Sequence, residues 1–127
     1  MTPTQRTIKR FKDQGIMCGV VERWIQFGKN DPRRGIRPGQ RIDLFGIIDI
    51  IAATPNGVIG VQCCAGSGNS AHIKKITEDK RENAEAWLRC PGASLEVHAW
   101  RKIKVKRGGK AMRWEPKITV IRLEDLK

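Results

Sequence analysis

No apolar run in this chain approaches the ~20 residues that a membrane-spanning helix needs. The opening stretch, MTPTQRTIKRF, lacks the apolar core of a signal peptide. These two absences lead us to expect a soluble, cytoplasmic protein with no membrane partner. No strongly amphipathic basic helix points to a membrane surface either. Metal-type cysteine spacing is missing too. Cys18, Cys63, Cys64 and Cys90 form no C-x-x-C pair, and two of them are adjacent, which suits neither a zinc site nor a disulfide framework. Cys63 and Cys64 sit in an apolar run, where a free thiol behaves as a small buried hydrophobe. Histidine is scarce: His72 is expected at a loop-to-helix corner, and His98 on the polar face of a strand. There is no internal repeat and no sign of a second domain, so residues 1–127 are read as one domain.

Acidic side chains are also in short supply. Lysine and arginine number 25 against 13 aspartates and glutamates, for a net charge of +12. A small domain with that excess attracts polyanions before any specific contact forms, and nucleic acid is the commonest such partner.

The hydrophobic pattern predicts an α/β protein. Thr2-Pro3-Thr4 starts a helix that ends near Gly15. Met17 to Phe27 reads as a first strand, and Gly28 to Gln40, rich in Gly, Pro and Arg, as a mobile loop. Ile42 to Ala53 reads as a second strand, apolar on both faces and therefore central. Thr54-Pro55-Asn56-Gly57 signals a turn, and Val58 to Ala65 a third strand. After the loop Gly66–Ser70, a helical stripe runs from Ala71 to Arg89 through Ile73, Ile76, Lys80, Ala84, Trp87 and Leu88. Pro91-Gly92 stops it. Leu95 to Trp100 alternates as a fourth strand, with Leu95, Val97 and Ala99 inward. Lys102–Lys106 and Lys117–Leu123 complete a terminal hairpin. The predicted order is α-β-β-β-α-β plus that hairpin.

The segment Arg41–Asp49, RIDLFGIID, carries the most chemical information. An aspartate within a doubly buried strand is costly unless its charge is compensated, and Mg²⁺ takes carboxylate oxygen readily. If residues 54–57 form a four-residue hairpin loop, Ala53 pairs with Val58, and counting outward sets Asp49 opposite Gln62. Cross-strand partners have Cβ atoms about 5 Å apart. Cys64 shares the face of Gln62. Such a pair is either a simple buried hydrogen bond that holds the core or part of a phosphate-handling site. Asp43 lies six residues before Asp49, roughly 20 Å along an extended strand. The two can share one metal only if Gly46 bends the chain. Glu22, between apolar neighbours on the first strand, either supplies a further carboxylate, if that strand lies beside the second, or is an exposed strand glutamate paired with Arg23 or another cation. Lys74 and Lys75 open the helix after the Gly-rich loop, where an ammonium offsets charge on phosphate oxygens.

Several short stretches together resemble the PD-(D/E)xK nuclease superfamily, the restriction-endonuclease-like fold that includes archaeal Holliday junction resolvases. They are Val21–Trp24 (VERW), Arg41–Asp49, Gly60–Cys64 (GVQCC), Gly66–Asn69 (GSGN), Lys74–Ile76 (KKI) and Glu96–Lys102 (EVHAWRK). The likeness spans roughly Gly15 to Trp114 and is nearest to small, often phage-associated members. It implies a central mixed sheet of about four to six strands flanked by helices. It also implies a DNA endonuclease dependent on Mg²⁺ or Mn²⁺, structure-selective for junction or branched DNA, and a homodimer if two strands are cut. Carried over, Asp49 is the metal-binding aspartate, Gln62 stands at the acidic position of the third strand and binds metal through its oxygen, and Glu22 is auxiliary. Where the family pattern has a lysine two residues on, this chain has Cys64. In some relatives that lysine migrates to the next helix, which makes Lys75 or Lys74 its counterpart. The alternative is a catalytically inactive nucleic-acid-binding module of the same fold.

Nucleic acid is expected to be held by two basic segments. Arg33, Arg34, Arg37 and Arg41 lie in or beside the first long loop. Arg101, Lys102, Lys104, Lys106, Arg107 and Lys110 lie on the terminal hairpin, with Trp100 and Trp114 at its ends. Contacts of this kind bind phosphates without reading bases.

Overall fold

A computed structural model of the chain describes residues 1–26 and 39–127. Most of the expected loop from Gly28 to Gln40, with Arg33, Arg34 and Arg37, lies outside the described residues. The elements in chain order are α1 (Pro3–Asp13), β1 (Met17–Val20), β2 (Arg23–Gln26), β3 (Gly39–Ile42), β4 (Ile50–Thr54), β5 (Gly57–Ala65), α2 (Asn69–Lys74), α3 (Arg81–Leu88), β6 (Ala93–Lys104) and β7 (Met112–Ile121).

Five strands form a mixed sheet in the order β1-β4-β5-β6-β7. Only β5 and β6 run parallel; the other neighbours are antiparallel. A parallel pair needs a crossover connection, and α2 and α3 supply it. β2 and β3 pair separately as a two-stranded ribbon.

Both faces of the sheet are covered, and this explains the apolar character of the central strands. Ile47, Ile48, Ile76, Ala84, Leu95, Val97 and Ala99 pack on the α2–α3 side. Phe11 of α1 packs on the other side with Ile50, Ala52, Val61 and Cys63. α1 starts with a reciprocal cap. The Gln5 amide N–H donates to the Thr2 hydroxyl (3.2 Å), and the Thr2 N–H donates to the Gln5 side-chain oxygen (2.8 Å).

The expected hairpin register is found: Ala53 pairs with Val58. The loop is tighter than expected, since Thr54 also pairs with Gly57. Elsewhere the elements are more broken than their composition suggested. The first strand divides at Val21-Glu22, and its second half leaves the main sheet. The second strand begins only at Ile50, because Leu44–Ile48 closes a turn of its own. The helix expected over 71–89 splits into α2 and α3 around a π-helical turn, Lys75–Asp79. By contrast, the fourth strand and the first arm of the hairpin merge into the twelve-residue β6.

His98 corrects another expectation. It is 1% exposed, not on a polar surface, because α1 covers the face that alternation had left for solvent. A buried polar chain accompanies it. Trp100 Nε1 donates to the Thr7 hydroxyl (2.9 Å), Thr7 Oγ1 lies 3.3 Å from His98 Nδ1, and His98 Nε2 lies 2.8 Å from Glu96 Oε1. With its oxygen accepting from Trp100, the Thr7 hydroxyl is placed to donate to Nδ1. A carboxylate oxygen only accepts, so Nε2 faces Glu96 as a donor.

Candidate functional site

The site is built by the turn that interrupts the second strand. Phe45 and Gly46 both have positive φ, 56° and 74°. The Ile47 N–H donates to the Leu44 carbonyl (3.1 Å), and Leu44 and Ile48 form a bridge. This is the pattern of a tight hairpin turn with two left-handed central residues. Asn83 Nδ2 donates to the Phe45 carbonyl (2.8 Å) and holds the turn to α3. Two residues six apart in sequence thus flank one narrow pair, and Asp43 is folded back beside Asp49.

Asp49 is 4% exposed. Its Oδ2 accepts from the Cys63 backbone N–H (2.8 Å) and from Gln62 Nε2 (2.8 Å). The same amide nitrogen lies 3.3 Å from Asp43 Oδ2. Gln62 Oε1 accepts from Lys75 Nζ at 3.0 Å, and Lys75 Nζ lies 3.6 Å from Asp43 Oδ2. The amide orientation follows from its partners: only a nitrogen can donate to carboxylates, and only an oxygen can accept from an ammonium. The sequence reading placed the Gln62 oxygen on a metal. In the structure its nitrogen faces the carboxylates and its oxygen faces Lys75.

Glu22 completes the acidic group. It sits at the break between β1 and β2, beside β4, where the Asp49 carbonyl accepts from the Val21 N–H (2.8 Å). One carboxylate oxygen from each of Glu22, Asp43 and Asp49 lies within 4.8 Å of the others. Arg41 Nη1 is 3.4 Å from Glu22 Oε1. Burial pushes the Asp49 carboxyl up to about 8, helped by hydrogen bonding with Asp43 and by the charges of Asp43 and Glu22; the Cys63 N–H opposes this. A buried acid beside two like charges holds its proton unless a cation is near. Side-chain exposures of 17% for Glu22, 20% for Asp43 and 31% for Lys75 leave the cluster open on their side, so an ion or a phosphate oxygen can reach it there.

Lys75 opens a π-helical turn. The Lys80 N–H donates to the Lys75 carbonyl (2.7 Å), a wider loop than an α-helix makes, and such bulges are frequent at functional sites. Lys74, one residue earlier, is not brought to the cluster. It is exposed and lines a separate groove with Ile73, Thr77 and Thr119. Cys64 is buried, and its thiol is pushed up by burial and by the Asp49 charge, against the pull of Lys75. It therefore stays protonated, while Lys75 provides the positive charge beside it. His72 is half-buried, and its pKa is lowered by burial and by Lys75, with Asp43 opposing; the ring is neutral at physiological pH.

Of the expected site residues, Asp49, Gln62, Lys75 and Glu22 converge. Asp43 joins them, as the bend condition on Gly46 allowed. Of the expected basic contacts, Arg41 is exposed on β3, and Arg101, Lys102, Lys104, Lys106, Arg107 and Lys110 are exposed on the β6–β7 hairpin. Among the described residues, no helix is long and apolar enough to cross a membrane. Compared with protein-family models, curated proteins and solved structures, the chain matches none.

Proposed function

We propose that the chain is a divalent-metal-dependent endonuclease with a restriction-endonuclease-like fold, acting on DNA. The observation that carries this reading is the convergence of Glu22, Asp43, Asp49, Gln62 and Lys75 at one open corner of a domain whose net charge is +12. The mixed α/β sheet is compatible with such a fold.

The donor set fits Mg²⁺ or Mn²⁺: three carboxylates in reach of one another provide hard oxygen ligands. The pKa of Asp49 is raised chiefly by burial and further by Asp43 and Glu22, and a bound cation would favour its ionised form. Glu22, Asp43 and Asp49 would hold the ion. The chemistry such an ion would supply is polarisation of a phosphate oxygen and a lowered pKa of bound water. Gln62 positions the two aspartates through its amide nitrogen. Lys75, held by the Gln62 oxygen, would orient the attacking water and offset charge developing on the phosphate. It thereby stands in for the lysine that Cys64 replaces. The hairpin cations and Arg41 attract the backbone electrostatically.

The test is cleavage of labelled linear, nicked and four-way-junction DNA in Mg²⁺ or Mn²⁺, with EDTA and Asp49→Ala controls. Metal-dependent cutting that disappears in Asp49→Ala is the expected result. Tight binding without cutting on every substrate would replace this reading with the inactive binding module, which the amide at Gln62 and the thiol at Cys64 favour.

A further inference from the structure

We propose that Trp114, backed by Arg6, is a stacking platform for a single-stranded nucleic-acid arm that leaves the carboxylate site across the end of β5. This deepens the nucleic-acid reading given above and rests on it.

Two grooves meet at Trp100 and Trp114. The first, about 520 Å³, runs along α1 and is lined by Arg6, Lys9, Arg10, Arg113, Trp114 and Pro116. The second, about 540 Å³, starts where β5 ends and is lined by Gly66, Ser67, Arg101, Lys102, Trp114 and Lys117. Their linings hold seven cations. The only two carboxylates, Asp13 and Glu115, are already paired with Lys9 (2.7 Å) and Arg113 (3.2 Å). The surplus is positive along the whole track, which suits a polyanion.

Trp114 gives the track a preference among polyanions. It is 45% exposed, although it lies beside a buried tryptophan. The Arg6 guanidinium covers its ring at 3.8 Å from the centroid. One face is thus held by a cation, while nearly half of the side chain stays exposed. An indole fixed in this way takes a nucleobase by stacking. Base pairs within a duplex do not offer their faces, so the platform selects unpaired nucleotides. In register, Trp114 pairs with Lys102 and Gln62 with Val97. Trp114 is therefore five residues further along the strands and two strands across, and, the step being odd, its side chain lies on the α1 face, opposite that of Gln62. At ~3.3 Å per residue and ~4.8 Å per strand the backbones are about 19 Å apart in the plane of the sheet, and an arm that rounds the end of β5 needs at least a few nucleotides to cover it. The second groove rounds the end of β5 through Gly66 and Ser67, with residues of both sheet faces, Ala99 and Trp100, in its lining.

The experiment titrates the full chain in EDTA with oligo(dT), a matched duplex and heparin, reading tryptophan fluorescence and anisotropy. Oligo(dT) is expected to quench fluorescence. Trp114→Ala is expected to weaken oligo(dT) about tenfold, the scale of one base–aromatic stack, and heparin and duplex less than twofold. Trp114→Phe should recover most of the oligo(dT) affinity. Equal losses on all three polyanions, or oligo(dT) binding unchanged in Trp114→Ala, would overturn the platform. The nuclease reading would survive that result, since metal-dependent cutting of duplex or junction is scored separately. Selective oligo(dT) binding would likewise stand if no cutting were found.

Discussion

Asp43 and Asp49 lie six residues apart in sequence, yet one amide nitrogen, Nε2 of Gln62, reaches both carboxylates, at 3.3 Å and 2.8 Å. An extended chain would separate them by roughly 20 Å. The turn at Phe45-Gly46 removes that separation, and the site depends on it.

Gly46→Val should therefore damage the site from outside it. The position has φ +74°, and an added Cβ would lie 3.2 Å from Lys80 Cε. A left-handed β-branched residue costs at least about 1–2 kcal/mol. Chemical denaturation should show a loss of that order. Calorimetry should show weaker Mn²⁺ binding, because Asp43 is no longer held beside Asp49.

Stability should depend on pH through Asp49. Its folded pKa of about 8 lies above the ordinary carboxylate value, so the folded state holds a proton that the unfolded chain has released. Stability is then fully present below about pH 4 as far as this group is concerned, and falls as pH rises from there through about 8. In EDTA, Tm measured across that window should decline with this component, and Asp49→Asn should flatten it. Saturating Mn²⁺ should shrink the slope at its upper end, since ligation favours the ionised carboxylates.

Lys75→Met tests the migrated lysine. Removing a single preorganised charge-stabilising donor typically lowers turnover by about 10²–10³. Single-turnover cleavage should fall on that scale while Mn²⁺ still binds. Lys74→Met should leave turnover near wild type, because Lys74 lines another groove.

Thr7→Val separates folding from chemistry. It removes the acceptor for Trp100 Nε1 and the partner of His98 Nδ1, both buried. Leaving such groups unsatisfied costs about 1–3 kcal/mol each. Tm should drop clearly while metal affinity, measured well below that Tm, stays unchanged.

The residues announced the centre of this site better than its edges. The turn formers at 54–57 anchored the register Ala53↔Val58, and with it the meeting of Asp49 and Gln62. The return of Asp43 was legible only as a condition on Gly46. Leu44–Ile48 is otherwise apolar and β-compatible, and nothing in the identity of Phe45 announces its φ of 56°. Lys75 and Lys74 point about 100° apart on their helix, and only the packing of that helix on β5 shows that Lys75 is the one facing Gln62. His98 was misplaced because alternation reports two faces without saying which is covered. Tertiary packing of α1 decided that.

The most direct measurement is calorimetric titration of the chain with Mn²⁺, compared with Asp49→Ala, Asp43→Ala and Glu22→Gln. The account predicts saturable binding of one ion in the wild type, abolished by the first substitution and weakened at least tenfold by the others. Wild-type affinity unchanged in all three variants, or no saturable binding at any pH up to 8.5, would contradict it.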